Sequence, residues 1–202
     1  MADHPLSGLS AATVHEAYGA QGALPSAIKP VAPRFRLCGP ALTVDCPPGD
    51  NLWLHRAIYA AAPGDVIVAD VHGQTEAGYW GEILSHAALA RDLGGLLITG
   101  GVRDCTAISA LEFPVFAANV CLRGTVKDAH GKGRLGAVLR IGEVDVRPGD
   151  AVVGDADGAV VVRADEIEDV AAAAHARDAA ERETLERLRR GETTLGILGL
   201  PT

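Results

Sequence analysis

The sequence predicts an α/β domain with a long polar helix at its C-terminal end, and three observations lead there. Residues 76–118 read as helix, apolar strand, glycine turn, short helix and strand, the alternation of a β-α-β sheet. Residues 138–163 switch to short β-branched runs cut by Pro-Gly-Asp and Asp-Gly turns, which is an antiparallel pattern. From Asp165 to Arg190 the composition turns to Ala, Glu and Arg, all strong helix formers.

Taken in order, LSAATVHEAYGAQG opens with a helix, Ser10 serving as N-cap and Gly19 or Gly22 as its stop. Leu37 to Asp45 (LCGPALTVD) is a strand closed by the PPGDN turn at 47–51. LWLHRAIYAAA at 52–62 has helical periodicity and stops at Pro63-Gly64, and DVIVAD at 65–70 is a buried strand bounded by turn residues. From Glu76 to Leu93 the apolar residues Ala77, Trp80, Ile83, Leu84, Ala87, Ala88 and Leu93 form a helical stripe ended by Gly94-Gly95. GLLIT at 95–99 is a fully apolar strand that runs into Gly100-Gly101, followed by a short helix through Ala110 and a strand at 114–118. VLRIGEVDV and AVVGDADGAVVV supply the antiparallel strands. The final helix runs ~26 residues, roughly 39 Å, longer than one side of a small domain, so it is expected to project or to bridge subunits. The apolar tail TTLGILGLPT is expected to dock. PGD recurs at 48–50, 63–65 and 148–150 with unmatched flanks, which is repeated turn chemistry and no internal repeat.

The 202 residues suit one compact domain (1–164) with a helical appendage and tail (165–202). Two Trp, three Tyr and three Phe leave the core to Ala, Val, Leu and Ile, packed closely at many of the 24 glycines. No stretch approaches the ~18–20 apolar residues of a membrane span. MADHPLSGLS lacks the basic segment and apolar run of a secretory signal. A cytoplasmic protein that engages no membrane is expected. The formal charge of −8 argues against a nucleic-acid partner, which needs a basic face. Cys38, Cys46, Cys105 and Cys121 lack the spacing of a zinc site and read as small hydrophobes in a reducing compartment. Cys105 follows Arg103-Asp104, yet no histidine nearby in sequence would activate it as a nucleophile.

Two short segments carry the candidate chemistry. Arg103-Asp104 stands at the carboxyl end of the strand at 95–99, where open α/β sheets place ligands. An arginine matches a carboxylate bidentately, and an aspartate offers hard oxygens to Mg²⁺ or Mn²⁺. A surface salt bridge is the alternative for such a pair. In Gly81-Glu82-Ile83-Leu84, a helix beginning near Gly81 would leave the N–H groups of Ile83 and Leu84 free for an anion. Periodicity favours the other reading, Trp80 and Ile83 as core contacts on a helix that began earlier. Glu82 reads as a base, a ligand of metal-bound water or a solvated carboxylate. His15, Asp50, His55, His72 and His86 are weaker candidates, none falling in a metal-ligand pair. Asp155-Ala156-Asp157-Gly158 lacks the later ligands of a calcium loop and reads as a turn, and GDNLWLH at 49–55 is unusual without a spacing that names its chemistry.

Together, Trp80-Gly81-Glu82 and Gly100-Gly101-Val102-Arg103-Asp104, with twenty residues between Glu82 and Arg103, resemble the acidic-x20-Arg-Asp signature of the RraA-like family. That family includes the 4-hydroxy-4-methyl-2-oxoglutarate / 4-carboxy-4-hydroxy-2-oxoadipate aldolases and regulators of ribonuclease E activity. The likeness extends through Ile28-Lys29-Pro30, Gly39-Pro40-Ala41, Gly49-Asp50-Asn51, Pro63-Gly64-Asp65-Val66, Phe113-Pro114-Val115-Phe116 and Pro148-Gly149-Asp150 to Gly158. It implies a swivelling β/β/α-type fold with an added C-terminal helix. It also implies a homotrimer or homohexamer with sites between subunits, and a small 2-oxo acid as substrate. In the family's aldolases the corresponding backbone cradles the pyruvyl group. Gly81, Glu82, Ile83 and Leu84 would then bind substrate with Arg103, and Asp104 would hold a divalent metal, Mg²⁺ or Mn²⁺. Arg103, Asp104 and Glu82 would be the catalytic set. Glu181 or Glu183 would reach a neighbouring subunit's metal, a feature of the aldolases that the shorter regulators lack. No lysine Schiff base is implied, Lys29, Lys127 and Lys132 being the only lysines. Thr99 stands where relatives often carry aspartate, and His15-Glu16-Ala17 where they often read Ser-Asp-Ala.

The function expected on this resemblance is a metal-dependent pyruvate aldolase of the class II type, with oxaloacetate decarboxylation through the same enolate. The alternatives are an enzyme that is mainly an oxaloacetate decarboxylase, or a non-catalytic regulator that binds a ribonuclease.

Overall fold

The computed structural model describes residues 4–201; the first three residues of the N-terminal segment and Thr202 of the tail lie outside the described residues. Helix α1 (Ala11–Ala17) starts where the Ser10 hydroxyl accepts the Thr13 N–H at 3.0 Å. There follow β1 (Lys29–Pro30), β2 (Leu37–Asp45), α2 (Leu52–Ala60), β3 (Val66–Asp70), β4 (Gly78–Trp80), α3 (Glu82–Leu89), β5 (Gly95–Val102), α4 (Cys105–Leu111) and β6 (Val115–Val120). The second half holds β7 (Arg134–Leu135), the hairpin β8 (Leu139–Ile141) and β9 (Val144–Val146), and the hairpin β10 (Ala151–Asp155) and β11 (Gly158–Val162). A 3-10 turn, Ala164–Glu166, leads into α5 (Ile167–Arg189), and α6 (Thr194–Leu198) follows.

The strands β6, β5, β3 and β2 lie side by side and parallel, while β10 and β11 continue the sheet antiparallel beyond β2. One short stretch ties the two edges together. Ala23 bridges to Val160 of β11, and a few residues later β1 pairs with β6. The sheet is therefore nearly closed, which leaves little free strand edge.

Alternation along β10 and β11 divides two cores. Val152, Ala159 and Val161 join the main core with Leu37, Val68, Leu97 and Phe116. Ala151, Val153, Val160 and Val162 face Leu6 and Leu9, Val14 of α1, and Val170, Ala171 and Ala174 of α5. Only the first turns of α5 are buried, and its remaining turns are polar and exposed. Among the described residues no helix is long and apolar enough to cross a membrane.

Three segments depart from the sequence reading. Residues 76–93 are not one helix: Gly78–Trp80 is a strand paired with Gly101 and Val102 of β5, and the helix begins only at Glu82. Tyr79 and Trp80 are buried side by side as strand residues. The apparent helical stripe arose by counting across a strand and a helix. β5 also runs on through the Gly100-Gly101 pair. A Cβ at Gly100 would lie 2.8 Å from the Val71 side chain, and one at Gly101 2.6 Å from the Ala77 carbonyl oxygen. The pair thus admits the protein's own chain, the segment 71–79, against β5. The tail folds as α6, capped by Thr193, with Leu195, Leu198 and Leu200 exposed, so it does not dock within the described chain.

Candidate active site

β4 and the end of β5 deliver the two chemical segments to one place. The Arg103 N–H donates to the Trp80 carbonyl at 2.9 Å, tying the exit of β5 to the exit of β4. Asp104 then takes a left-handed conformation, φ 57° and ψ 35°, at the N-cap position of α4. Its Oδ2 accepts the Glu82 N–H at 3.1 Å and lies 3.7 Å from Arg103 Nε. The carboxylate at the start of one helix thus satisfies the first N–H of another.

Because α3 begins at Glu82, its first turn carries unused donors. The Ser85 N–H reaches the Gly81 carbonyl at 3.1 Å, whereas those of Ile83 and Leu84 find no acceptor among the described residues. Ile83 is 75% exposed and is no core contact. Trp80, the other residue of that reading, is buried, its Nε1–H donating to Ser85 Oγ at 2.8 Å. Gly81 is required here: a Cβ would stand 2.4 Å from Asp104 Oδ2.

These groups open on a cavity of about 150 Å³. Ile83, Leu84, Arg103 and Asp104 line it, together with Asn51 at the N-cap of α2, His55 of α2, and Thr125 and Lys127 of the loop before β7. Buried Asp50 fixes that loop, its carboxylate accepting the Leu52 N–H at 2.8 Å and the Asp128 N–H at 3.1 Å. Trp53 Nε1–H holds the Gly131 carbonyl at 3.0 Å. Arg103 and Lys127 make the cavity attractive to anions. Burial, with Lys127 second, holds the His55 imidazole below its usual range. Tyr79, whose hydroxyl oxygen accepts the Gly49 N–H at 2.7 Å, is pushed up by burial.

The other sequence candidates lie apart from this wall. The Glu82 carboxylate sits 3.9 Å from His86, half exposed, and does not line the cavity. His72 stands 2.6 Å from Asp45 at the carboxyl ends of β2 and β3, and His15 contacts the Gln21 carbonyl at 2.8 Å. Glu181 is paired with Arg177 at 2.8 Å, and neither it nor Glu183 lines the cavity. Asp155 accepts the Asp157 N–H, as a turn residue does, and also the Ala11 N–H at the start of α1. Among the described residues no group of three or more His, Cys, Asp or Glu side chains could hold a metal ion. Asn51 and Lys127 were not singled out by sequence; the signal available was the odd GDNLWLH run and the scarcity of lysine.

Comparison with known proteins bears on this arrangement. The family model described as RraA-like (Aldolase/RraA) matches residues 11–161. Over 139 residues, 69% of this chain, the sequence is 38% identical to a protein of Halalkalibacterium halodurans named "Putative 4-hydroxy-4-methyl-2-oxoglutarate aldolase". That match spans 65% of the relative's length. An uncharacterized protein from Pseudomonas syringae pv. tomato superposes with a TM-score of 0.80 at 28% identity, covering 94% of this chain and 88% of that one. The RNA-processing inhibitor RraA from Thermus thermophilis shares the fold, with a TM-score of 0.68 at 24% identity, over 75% of this chain and 91% of its own. The chain belongs to the RraA-like family.

Proposed function

We propose that this protein is a divalent-metal-dependent pyruvate aldolase. It would cleave a 4-hydroxy-2-oxo diacid of the 4-hydroxy-4-methyl-2-oxoglutarate type to pyruvate, with oxaloacetate decarboxylation as a side activity. The observation that carries this reading is the convergence of Arg103, two free helix N–H groups and the Asp104 carboxylate on one small cavity. The name of the Halalkalibacterium halodurans relative supports it.

In this reading the Arg103 guanidinium and the N–H groups of Ile83 and Leu84 clamp the 2-oxo carboxylate, a bidentate contact reinforced by the positive end of α3. Asp104 suits a hard cation. Both of its contacts fall on Oδ2, Oδ1 accepts from no described residue, and the side chain is 42% exposed. Mg²⁺ or Mn²⁺ retains several waters and needs only one or two carboxylates, so one aspartate with a second acid from elsewhere is sufficient. Glu181 or Glu183 of a neighbouring subunit would be that acid, in a homotrimer or homohexamer in which residues 165–202 pack on the next chain. When bound, the metal would polarise the keto oxygen and stabilise the charge left by carbon–carbon cleavage. Glu82 acts through its backbone, which holds Asp104, its carboxylate lying beside His86. Lys127 adds positive potential for a doubly charged substrate.

The test is pyruvate release from 4-hydroxy-4-methyl-2-oxoglutarate and from oxaloacetate while Mg²⁺ or Mn²⁺ is titrated. Saturable, metal-dependent release from both is expected. Release independent of metal, or none from any 2-oxo acid, would overturn the reading and leave a regulator that binds a ribonuclease.

A further inference from the structure

The cations of this chain are unevenly paired. Most arginines stand within ion-pair distance of an acid, among them Arg36, Arg123, Arg140 and Arg177. Arg56, Arg91, Lys132 and Arg134 are exposed, and none of them enters an ion pair among the described residues. These four gather around two aromatic rings. Arg56 lies over the Trp53 ring, 4.4 Å from its centroid, and Arg91 over the Tyr59 ring at 5.8 Å. Trp53, Arg56 and Tyr59 recur every third residue and fall on one side of α2, opposite buried Leu54, Ala57 and Ile58. The chain before β7 crosses that side: Trp53 Nε1–H donates to the Gly131 carbonyl at 3.0 Å, and Gly133 lies so close to the indole that no side chain would fit. Lys132 stands between those two contacts and Arg134 directly after them.

The same strip is free of acids in sequence. Neither 51–64 nor 129–142 contains an aspartate or a glutamate, in a chain that has 26 of them and a formal charge of −8. Asp65, Asp92 and Asp128 flank these segments, and Asp65 and Asp128 are engaged by the N–H groups of Ala62 and His130. Tyr59 is 69% exposed, one of only eight aromatic residues. Trp, Tyr and Arg are the residues that dominate binding at protein interfaces, and here they stand together with unpaired positive charge.

We infer that the outer side of α2, with Lys132 and Arg134, is a docking surface for a carboxylate-rich segment of another protein. Charge complementarity requires an anionic partner, and a guanidinium resting on a ring is pre-organised to offer its donors to a carboxylate. A single-stranded nucleic acid would use open ring faces for its bases. The Trp53 indole is instead taken up by Arg56 and by the chain at Gly133. A second copy of this chain is a poorer match, because its acidic helix α5 neutralises much of its own charge through Arg177–Glu181 and Arg182–Asp178. The inference is independent of the chemistry proposed for the cavity.

The experiment measures fluorescence anisotropy of a labelled Glu-Ala repeat of about 12 residues, longer when extended than α2 itself. The matching Gln-Ala repeat and an oligouridylate RNA of the same length are the comparison probes. The full chain is expected to bind the acidic peptide at least ~10-fold more tightly than the Gln-Ala peptide, with affinity falling as salt is raised. Arg56→Gln/Arg91→Gln should weaken that binding at least ~10-fold, whereas Arg182→Gln/Arg189→Gln, which removes the same charge from α5, should change it less than ~2-fold. Lys132→Gln/Arg134→Gln is read in the same way and serves if the first variant does not fold. No saturable binding of the acidic peptide, equal affinity for the Gln-Ala peptide, equal losses in the α2 and α5 variants, or tighter binding of the RNA would overturn the inference. So would a fall in sedimenting mass on Arg56→Gln/Arg91→Gln, which would assign the surface to a second copy.

Discussion

Replacing Gly81 by alanine isolates the contact on which the candidate site turns. The backbone there, φ −159° and ψ −165°, is extended and open to any residue, so the added methyl group acts only through collision. It would stand 2.4 Å from Asp104 Oδ2 and 3.2 Å from Arg103 Cγ. Ordinary contact begins near 3.4 Å, so the carboxylate must retreat by about 1 Å. That movement pulls Oδ2 away from the Glu82 N–H, now at 3.1 Å. Asp104 is 42% exposed, and water replaces much of what is lost. The cost to global stability is therefore about 0.5–1 kcal/mol. Misplacing a reacting group by ~1 Å costs ~100-fold in rate. Gly81→Ala should thus lower kcat/KM for pyruvate release about 100-fold while shifting the thermal midpoint by only about 1–4 °C. Both are read on one preparation, by coupled assay and by circular dichroism. A variant that keeps more than about a third of wild-type kcat/KM would refute the assignment of Asp104, since a displacement of this size could not be harmless to a group at the reacting centre.

Further expectations follow from the same geometry. Asp104→Ala should abolish pyruvate release, and Arg103→Ala should act mainly by raising KM; steady-state kinetics separates the two, and turnover surviving in the Asp104 variant would remove the metal assignment. Burial holds His4 and His55 below the ordinary value of 6.5, opposed at His4 by Glu168. Both rings therefore take up protons more readily in the unfolded chain, so their contribution is complete above pH 6.5 and is lost as pH falls through the folded values. The thermal midpoint should drop between pH 7 and pH 5, less steeply in His55→Gln, and parallel pH profiles would contradict this. Burial pushes the Cys46 thiol up to about 12, with Asp50, Asp45 and Asp70 adding to it. At pH 8 Cys46 should resist a thiol reagent in the native protein and react on unfolding, as mass spectrometry after pulsed labelling would report.

Much of the sheet was legible because its strands announce themselves locally. LCGPALTVD and VIVAD are β-rich runs between turn residues, and each forms the strand its pattern predicts. The segment 76–93 was not legible, for a physical reason. Tyr79 and Trp80 are buried by β5 and by Ser85, through tertiary contacts that no local period encodes. The apolar residues of a three-residue strand and of the helix after it happen to fall into a helical register. Gly81 was the clue that breaks that register. Its requirement appears only when Asp104, twenty-three positions on, is brought within 2.4 Å of its missing side chain. The place of Asn51 was hidden for the same reason, since its amide is held by the Tyr79 carbonyl.

The choice between a surface salt bridge and a working pair at Arg103-Asp104 can be argued from magnitudes. Their side chains are 46% and 42% exposed with 3.7 Å between Nε and Oδ2, so the attraction contributes less than about 1 kcal/mol. Stability gives no strong reason to place both charges there. What the fold does is hold them through the backbone: Arg103 N–H on the Trp80 carbonyl, Glu82 N–H on Asp104, and a left-handed turn that aims neighbouring side chains at one cavity. A left-handed aspartate costs roughly 1 kcal/mol or more, and the Glu82 contact that depends on it leaves two α3 amides unused beside it. Fixed dipoles, a cation and a carboxylate set out in advance of any ligand are the arrangement expected where charge must be stabilised as it develops. A binding role of the kind proposed would use that arrangement, whereas the weak ion pair alone gives no reason for it.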